Sequence, residues 1–516
     1  MTDPSLRSRT SFTPSQLNRR DTQRLAAYRT HLDFYQGSQW QTTSPACQGL
    51  AGGRHRQLVF NYAKVSIDKV TSFLMPGLGF ACYPTSINAT NSTNSLNARA
   101  RSAEQVLRQV YEQNNLQQLD YETEIDTAIL GDGCYKVIWD TDEKRIRVTA
   151  PDVSGIYAWW LGDDTSRVWR VASRYTLTQD EVHMLYSDVI ASDLPAKAWQ
   201  AGAKQSQEIA TSPRFIGAPS NDRGGAAHSN VVVTELWTAQ TFDLFLDNDL
   251  LESKPNPYGF IPFVIFPNLR EPKKFWGTSD IPSLIQPQRE LNRALSQLSR
   301  ILELSGNPIA VLENIGSAED IKVQPGAVWT IPEDAKAYLL DLLQGGGVRL
   351  HIDYIDLIYR ALHDISEAPR AAWGGVERDL SGAALNIELG SLIQKVTRKR
   401  TIRTNAYHHR NAMILRLAEK YMEQNFNGVS HRVIWGAILP QDATRQAQNE
   451  QLLVQAGVHS RRTAMDELGV QDPDEEFTRW LEERERILEM NREFRAASTR
   501  GGARERAVAA EMEVPE

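Results

Sequence analysis

The stretch from Phe275 to Tyr421 constrains this chain most, because it is dominated by helical patterns longer than one compact domain needs. Leu284, Leu291, Leu295, Leu298 and Leu302 recur at helical spacings and leave a narrow apolar seam. A second pattern runs from about Leu350 to Ser366, and a third from about Ala383 to Tyr421 with no proline and the single glycine Gly390. At about 1.5 Å per residue the third predicts a helix on the order of 60 Å long. Helices of that length need partners along their sides.

The flanking chain alternates between two periods. Helical patterns cover Asp21 to Tyr35, Val65 to Leu74, Ala98 to Asn114 and Gln117 to Leu130. The period then changes from 3.6 to 2, and Cys134 to Trp139 and Ile146 to Val148 predict a hairpin around a charged turn. Ile156 to Trp160, Trp169 to Tyr175, Val231 to Thr238, Phe242 to Leu246 and Phe260 to Phe266 extend the strand-rich part, with a surface insertion over residues 178–228. Ile309 to Leu312 and Val328 to Ile331 predict a small β unit between the first two long helices. His431 to Trp435 reads as one more strand. Thr444 to Gln455, Ser460 to Leu468 and Asp474 to Arg495 read as helices, and residues 497–516 as a disordered tail. The expected class is α+β, multidomain and predominantly helical.

Several function classes are disfavoured by the residues themselves. A formal net charge of -7 does not suit a protein that coats nucleic acid, since such binders displace counterions with a basic surface. Cys47, Cys82 and Cys134 are widely spaced and read as reduced thiols. No run reads as a signal peptide or a membrane span, so a cytoplasmic setting without membrane contact is expected. There is no Gly-Lys pair for a phosphate loop, no HExxH and no GxSxG. Gly345-Gly346-Gly347 reads as a hinge rather than a phosphate cradle, and Asp140 with Asp142 as a solvated turn rather than a metal site. Adjacent His408 and His409 point about 100° apart on a helix and cannot easily share an ion. No catalytic set, metal or cofactor is expected.

Two features remain as candidate sites. Lys395, Arg398, Lys399, Arg400 and Arg403 concentrate five positive charges on two to three helical turns of an acidic protein. That run reads as a solvated face, as salt bridges to a neighbouring subunit, or as DNA contacts. The segment from Ala368 to Gly382 joins two long helices yet carries Arg370, Trp373, Glu377 and Arg378 beside a glycine pair. It reads either as a mobile element with a bulky contact residue or as a connector whose tryptophan is trapped in the core.

The order of these blocks resembles the portal (head-to-tail connector) proteins of tailed bacteriophages. Asp33-Phe34-Tyr35-Gln36-Gly37-Ser38-Gln39-Trp40 is similar to the family's opening region, and Asn61-Tyr62 with the following helix to its next block. Ala128-Ile129-Leu130-Gly131-Asp132-Gly133-Cys134 looks like its Gly-Asp-Gly strand block, and Trp276-Gly277-Thr278-Ser279 like the start of its stem. Leu439-Pro440-Gln441-Asp442, Gly457-Val458-His459-Ser460 and Leu468-Gly469 resemble its C-terminal region. The resemblance spans roughly residues 25 to 490.

The resemblance implies a ring, usually of twelve subunits, at one capsid vertex, through which a separate terminase motor drives DNA. It implies an N-terminal wing over 1–278 with a strand-rich part at 134–267, stem helices at 279–305 and 345–367, and a clip at 306–344. It further implies a tunnel loop at 368–382, a long wing helix and closing strand at 383–440, and a helical crown at 441–496. Arg370, Trp373, Glu377 and Arg378 would then face the DNA. Implied partners are the large terminase, major capsid and scaffolding proteins, head-completion and tail connector proteins, and double-stranded DNA. The protein would belong to the virion, with the host cytoplasm as its site of assembly. Two other readings stay open: a connector or baseplate protein without a DNA channel, and a nucleic-acid-processing enzyme with a scattered site.

Overall fold

Where apolar residues recur every three to four positions the chain is helical, and where they alternate it pairs into sheets. The structure, a computed structural model, describes residues 12–40, 57–85, 93–193, 230–306, 309–313, 336–340, 347–374, 382–439, 443–470, 473 and 476–490. It divides into two compact units, Met1–Ile438 and Leu439–Glu516. In the first, helices α1 (Thr22–Tyr35) and α2 (Tyr62–Leu74) precede strand β1 (Gly79–Pro84). Helices α3 (Thr93–Gln113) and α4 (Leu116–Leu130) then lead into β2 (Asp132–Asp140) and β3 (Arg145–Thr149).

Strands β4 (Ile156–Leu161) and β5 (Asp164–Leu177), helix α5 (Gln179–Asp193), and strands β6 (Val231–Thr238), β7 (Thr241–Leu246), β8 (Asp249–Pro255) and β9 (Phe263–Pro267) follow. The five strands from β4 to β8 form an antiparallel meander in chain order. Strand β2 lies between β3 and β9, with Lys136 opposite both Thr149 and Phe263. The expected hairpin is therefore present, extended by a residue or two at each end.

Helix α6 (Pro282–Gly306) and helix α7 (Gly347–Ser366) flank a short antiparallel pair, β10 (Ile309–Glu313) and β11 (Lys336–Leu340). Ile309 pairs with Leu340, and the strand expected at 328–331 lies outside the described residues. The long third helix corrects the sequence reading. It is broken into α8 (Gly382–Glu388) and α9 (Gly390–Tyr421), because Leu389 leaves the helical conformation and turns into the core ahead of Gly390, a poor helix former. Helix α9 alone is 32 residues, about 48 Å. Strand β12 (Val429–Ile434) returns to pair antiparallel with β1.

Among the described residues two large apolar clusters and a smaller one, which packs Leu17 on Tyr157, Leu236 and Phe245, fill this unit. One large cluster joins α1, α2 and α4 to the inner face of the meander and to α6; the other joins α3, the β3-β2-β9 sheet and α9. The second unit contains α10 (Ala443–Gln455), α11 (Arg461–Glu467) and a helical stretch over 476–490. Trp480 stacks on Phe477 and lies under the Arg461 guanidinium. Residues 497–516 lie outside the described residues. Among the described residues no helix is long and apolar enough to cross a membrane.

Candidate functional site

The helical pair α6 and α7 is antiparallel: Tyr354 donates to Glu290 at 2.9 Å, while Asp280 and Ser366 meet at the root through a shared lysine. Helix α6 also holds the extended segment leading to α2. Ser296, Asn292 and Gln288 accept from the backbone N–H of Leu58, Phe60 and Tyr62 at 3.0, 2.9 and 3.1 Å. Four helical residues rise about 6 Å and two extended residues about 6.6 Å, so the two ladders stay in step. The apolar seam of α6 thus has a polar neighbour that fixes its upstream partner.

Helix α9 runs between these elements with a charged stripe buried in the chain. Lys395, Lys399, Arg403 and Arg410 fall on the same side as Leu392, Val396 and Ile414. Lys395 donates to the Ser366 carbonyl at 2.9 Å and lies 3.3 Å from Asp280; Lys399 donates to Asp280 at 2.7 Å. Arg403 grips Glu124 with two bonds, at 2.7 and 2.8 Å, and reaches the carbonyls of Pro267 and Asn268. Arg410 holds Asp120 in the same bidentate manner. Burial opposes the charge on Asp280, yet Lys395 and Lys399 bring its carboxyl well below the usual range. Lys399 is itself lowered, by burial.

This corrects the solvated-face reading for four of the five basic residues. Lys395, Lys399, Arg400 and Arg403 are buried and paired within the chain. Arg400 donates to the carbonyls of Leu74 and Gly436. Arg398 alone is exposed, and it pairs with Glu367 at 2.5 Å. A polar helix is forced inward here because Asp120 and Glu124 of α4, with Asp280 before α6, supply a matching ladder of acids. The four-residue spacing of Asp120 and Glu124, on the buried face of α4 that also carries Thr123 and Thr127, was a usable signal that the sequence reading missed.

Beyond α7 the chain turns at Glu367, whose φ is +54°, into a single 3-10 turn, Arg370–Trp373. His363 Nδ1 lies 2.8 Å from the Ala368 carbonyl. A carbonyl only accepts, so Nδ1 carries the proton and burial holds the ring neutral by lowering its pKa. Trp373 stacks on Tyr62 of α2 at 5.7 Å and meets the His363 ring edge-to-face at 4.6 Å. Arg370 is exposed, its guanidinium 6.0 Å from the Tyr359 ring. The tryptophan is half-buried, its ring held between those of Tyr62 and His363. Glu377 and Arg378 lie outside the described residues.

Two short motifs far apart in sequence meet beside this root. Asp132 Oδ1 accepts from the Gly277 N–H at 2.7 Å, and its other oxygen accepts from the Tyr28 hydroxyl at 2.5 Å. Ser279 Oγ donates to the Ile129 carbonyl at 2.6 Å, and the Asn268 N–H to the Gly131 carbonyl at 2.7 Å. A Cβ on Gly131, where φ is +107°, would come within 2.9 Å of the Ser279 nitrogen; one on Gly277 would come within 2.5 Å of the Gly131 oxygen. Glycine is required at both because backbone crosses backbone. The Gly-Asp-Gly and Trp-Gly-Thr-Ser blocks are thus one place in the fold. Their order in the chain agrees with a comparison of the whole: the family model described as phage portal protein, SPP1 Gp6-like, matches residues 15–490.

The chain belongs to this phage portal family. No curated protein matches it. As a portal protein it is a capsid component of an oligomeric assembly, and its fold of mixed helices and small sheets is consistent with a portal domain. Among the described residues no group of three His, Cys, Asp or Glu side chains is placed to hold a metal ion.

Proposed function

We propose that this chain forms a closed ring, of twelve copies, that is the DNA channel at one capsid vertex. The observation that carries the reading is the family match over nearly the whole chain, residues 15–490. In this reading α6 and α7 are the stem, residues 306–344 the clip, residues 368–382 the tunnel loop, residues 1–278 with 383–440 the wing, and residues 441–496 the crown. Arg370, Trp373, Glu377 and Arg378 face or gate the DNA. Exposed Leu350, Ile352 and Leu357 on α7 support a helical pair that completes its packing with further copies. Ring closure satisfies such head-to-tail contacts.

The clip docks the large terminase during packaging and the tail connector afterwards, and the wing meets capsid and scaffolding proteins. The ring is not an enzyme: the motor that hydrolyses nucleotide is the separate terminase. An acidic chain suits a conduit, since each phosphate neutralised by lysine or arginine adds affinity and slows transit. Native mass spectrometry with negative-stain images tests the reading. A ring with a central hole and a mass of roughly 700 kDa, twelve copies of 58.1 kDa, is expected. An assembly without a DNA-sized hole would overturn it in favour of a plain connector, and nuclease or ATPase activity of the purified chain in favour of an enzyme.

A further inference from the structure

Arg20 and Arg170 converge on one indole. Arg170 of β5 is paired in register with Trp159 of β4. Its guanidinium carbon lies 4.1 Å from the Trp159 ring centre, 4.7 Å from Trp169 and 5.4 Å from Phe12. Arg20, from the segment before α1, sits 4.4 Å from the same Trp159 ring and donates to the Ala158 carbonyl at 2.9 Å. Aromatic faces attract guanidinium groups, but they do not neutralise the charge.

Carboxylates do not neutralise it either. Asp21 lies 3.9 Å from Arg20 but 3.3 Å from Arg24, which it serves more closely. Among the described residues no carboxylate pairs with Arg170, and the Nε of both Arg20 and Arg170 is shielded from solvent without an acceptor. Burial and then the neighbouring Arg20 lower the Arg170 pKa. In a chain with 64 acidic and 57 basic residues, two adjacent arginines with one distant, shared acid leave a charge that an anion would complete.

We propose that Arg20 and Arg170, held on Trp159, form a binding site for the carboxylates of an acidic peptide segment of a partner protein. Guanidinium forks match carboxylates bidentately, and clusters of them recognise acidic motifs. Trp169, 40% exposed, and half-buried Phe12 offer apolar contact to residues flanking the acid. Single-stranded nucleic acid fits less well. It needs open aromatic faces for base stacking, and here guanidinium groups already crowd the Trp159 ring.

The test titrates the full-length chain into a fluorescently labelled hexaglutamate peptide and, separately, into an oligothymidylate of equal charge. Saturable binding of the peptide is expected. Arg170→Gln and Arg20→Gln should each weaken it by about tenfold, equivalent to about 1.4 kcal/mol. Arg108→Gln, the same charge change on exposed α3, should leave it within about twofold. Arg170 and Arg20 stand on different segments, so if one variant fails to fold, as judged by its melting midpoint, the other still decides. No peptide binding, equal binding by both folded variants, or tighter binding of the oligonucleotide would each overturn the proposal.

Discussion

The ammonium of Lys395 lies 2.9 Å from the carbonyl oxygen of Ser366, so the last residue of α7 is tied directly to α9. The same ammonium reaches Asp280 just ahead of α6, and one side chain therefore closes the root of the helical pair. A cation at a helix C-terminus also meets the negative end of its dipole. Lys395→Met keeps the stem of the side chain and removes the bond. It should cost about 1.5–3 kcal/mol in urea unfolding, the range for hydrogen bonds to charged groups. A loss under about 0.5 kcal/mol would mean the tie is incidental.

Arg403 and Glu124 are each almost wholly buried, so removing either leaves an uncompensated charge. Arg403→Met and Glu124→Gln should each destabilise by about 3–5 kcal/mol. Combining them should cost clearly less than the two losses added, because neither charge is then left alone. Additive losses in the double-mutant cycle would sink this account.

Asp132 gives the opposite pH signature from Asp280. Burial pushes its carboxyl up to about 6, above its ordinary value near 3.8. A raised carboxyl stabilises the fold in its protonated form, so this contribution is present in full below about pH 4 and is lost as the pH rises to about 6. The difference is about 3 kcal/mol. Asp280, held low, instead contributes above its ordinary value and loses that contribution as acid protonates it. Melting midpoints of wild type and Asp132→Asn between pH 4 and 7 should differ in slope, with the variant lacking the decline. Parallel curves would remove Asp132 as the cause.

Trp373 is anchored by rings on α2 and α7 rather than by hydrogen bonds. Trp373→Ala should raise amide exchange of residues 366–374 while lowering global stability by only about 1–2 kcal/mol, since the side chain is half-buried. Unchanged exchange there would show that the His363 to Ala368 bond holds the turn without the indole.

For the channel reading, deleting residues 371–378 should leave oligomer formation intact and impair packaging or retention of DNA. Normal DNA content in particles carrying the deletion would remove the gating role from this loop.

Much of the architecture was legible because it is local. The α3 and α4 periods, the Asp140 to Lys144 turn and the long α6 and α7 patterns depend on neighbours within a few residues. The role of the basic run was not legible in that way. Lys399 and Arg403 look solvated until Glu124, 279 residues before Arg403, is brought against them. Their spacing on the stripe of Leu392 and Val396 was a local clue, as was the spacing of Asp120 and Glu124 on α4. Trp373 was ambiguous for a similar reason: its partner Tyr62 is encoded in another helix, and no local pattern links the two.

The crossing of Gly131 over Gly277 carries a consequence for heredity as well as for shape. A side chain at Gly277 would strike the carbonyl of residue 131, the Cβ of Pro267 and the carbonyl of Leu269. Every amino acid brings a carbonyl, so no exchange at position 131 can make room. A suppressor screen begun from Gly277→Ala should therefore return true revertants and distant global stabilisers, and no compensating partner at the point of contact.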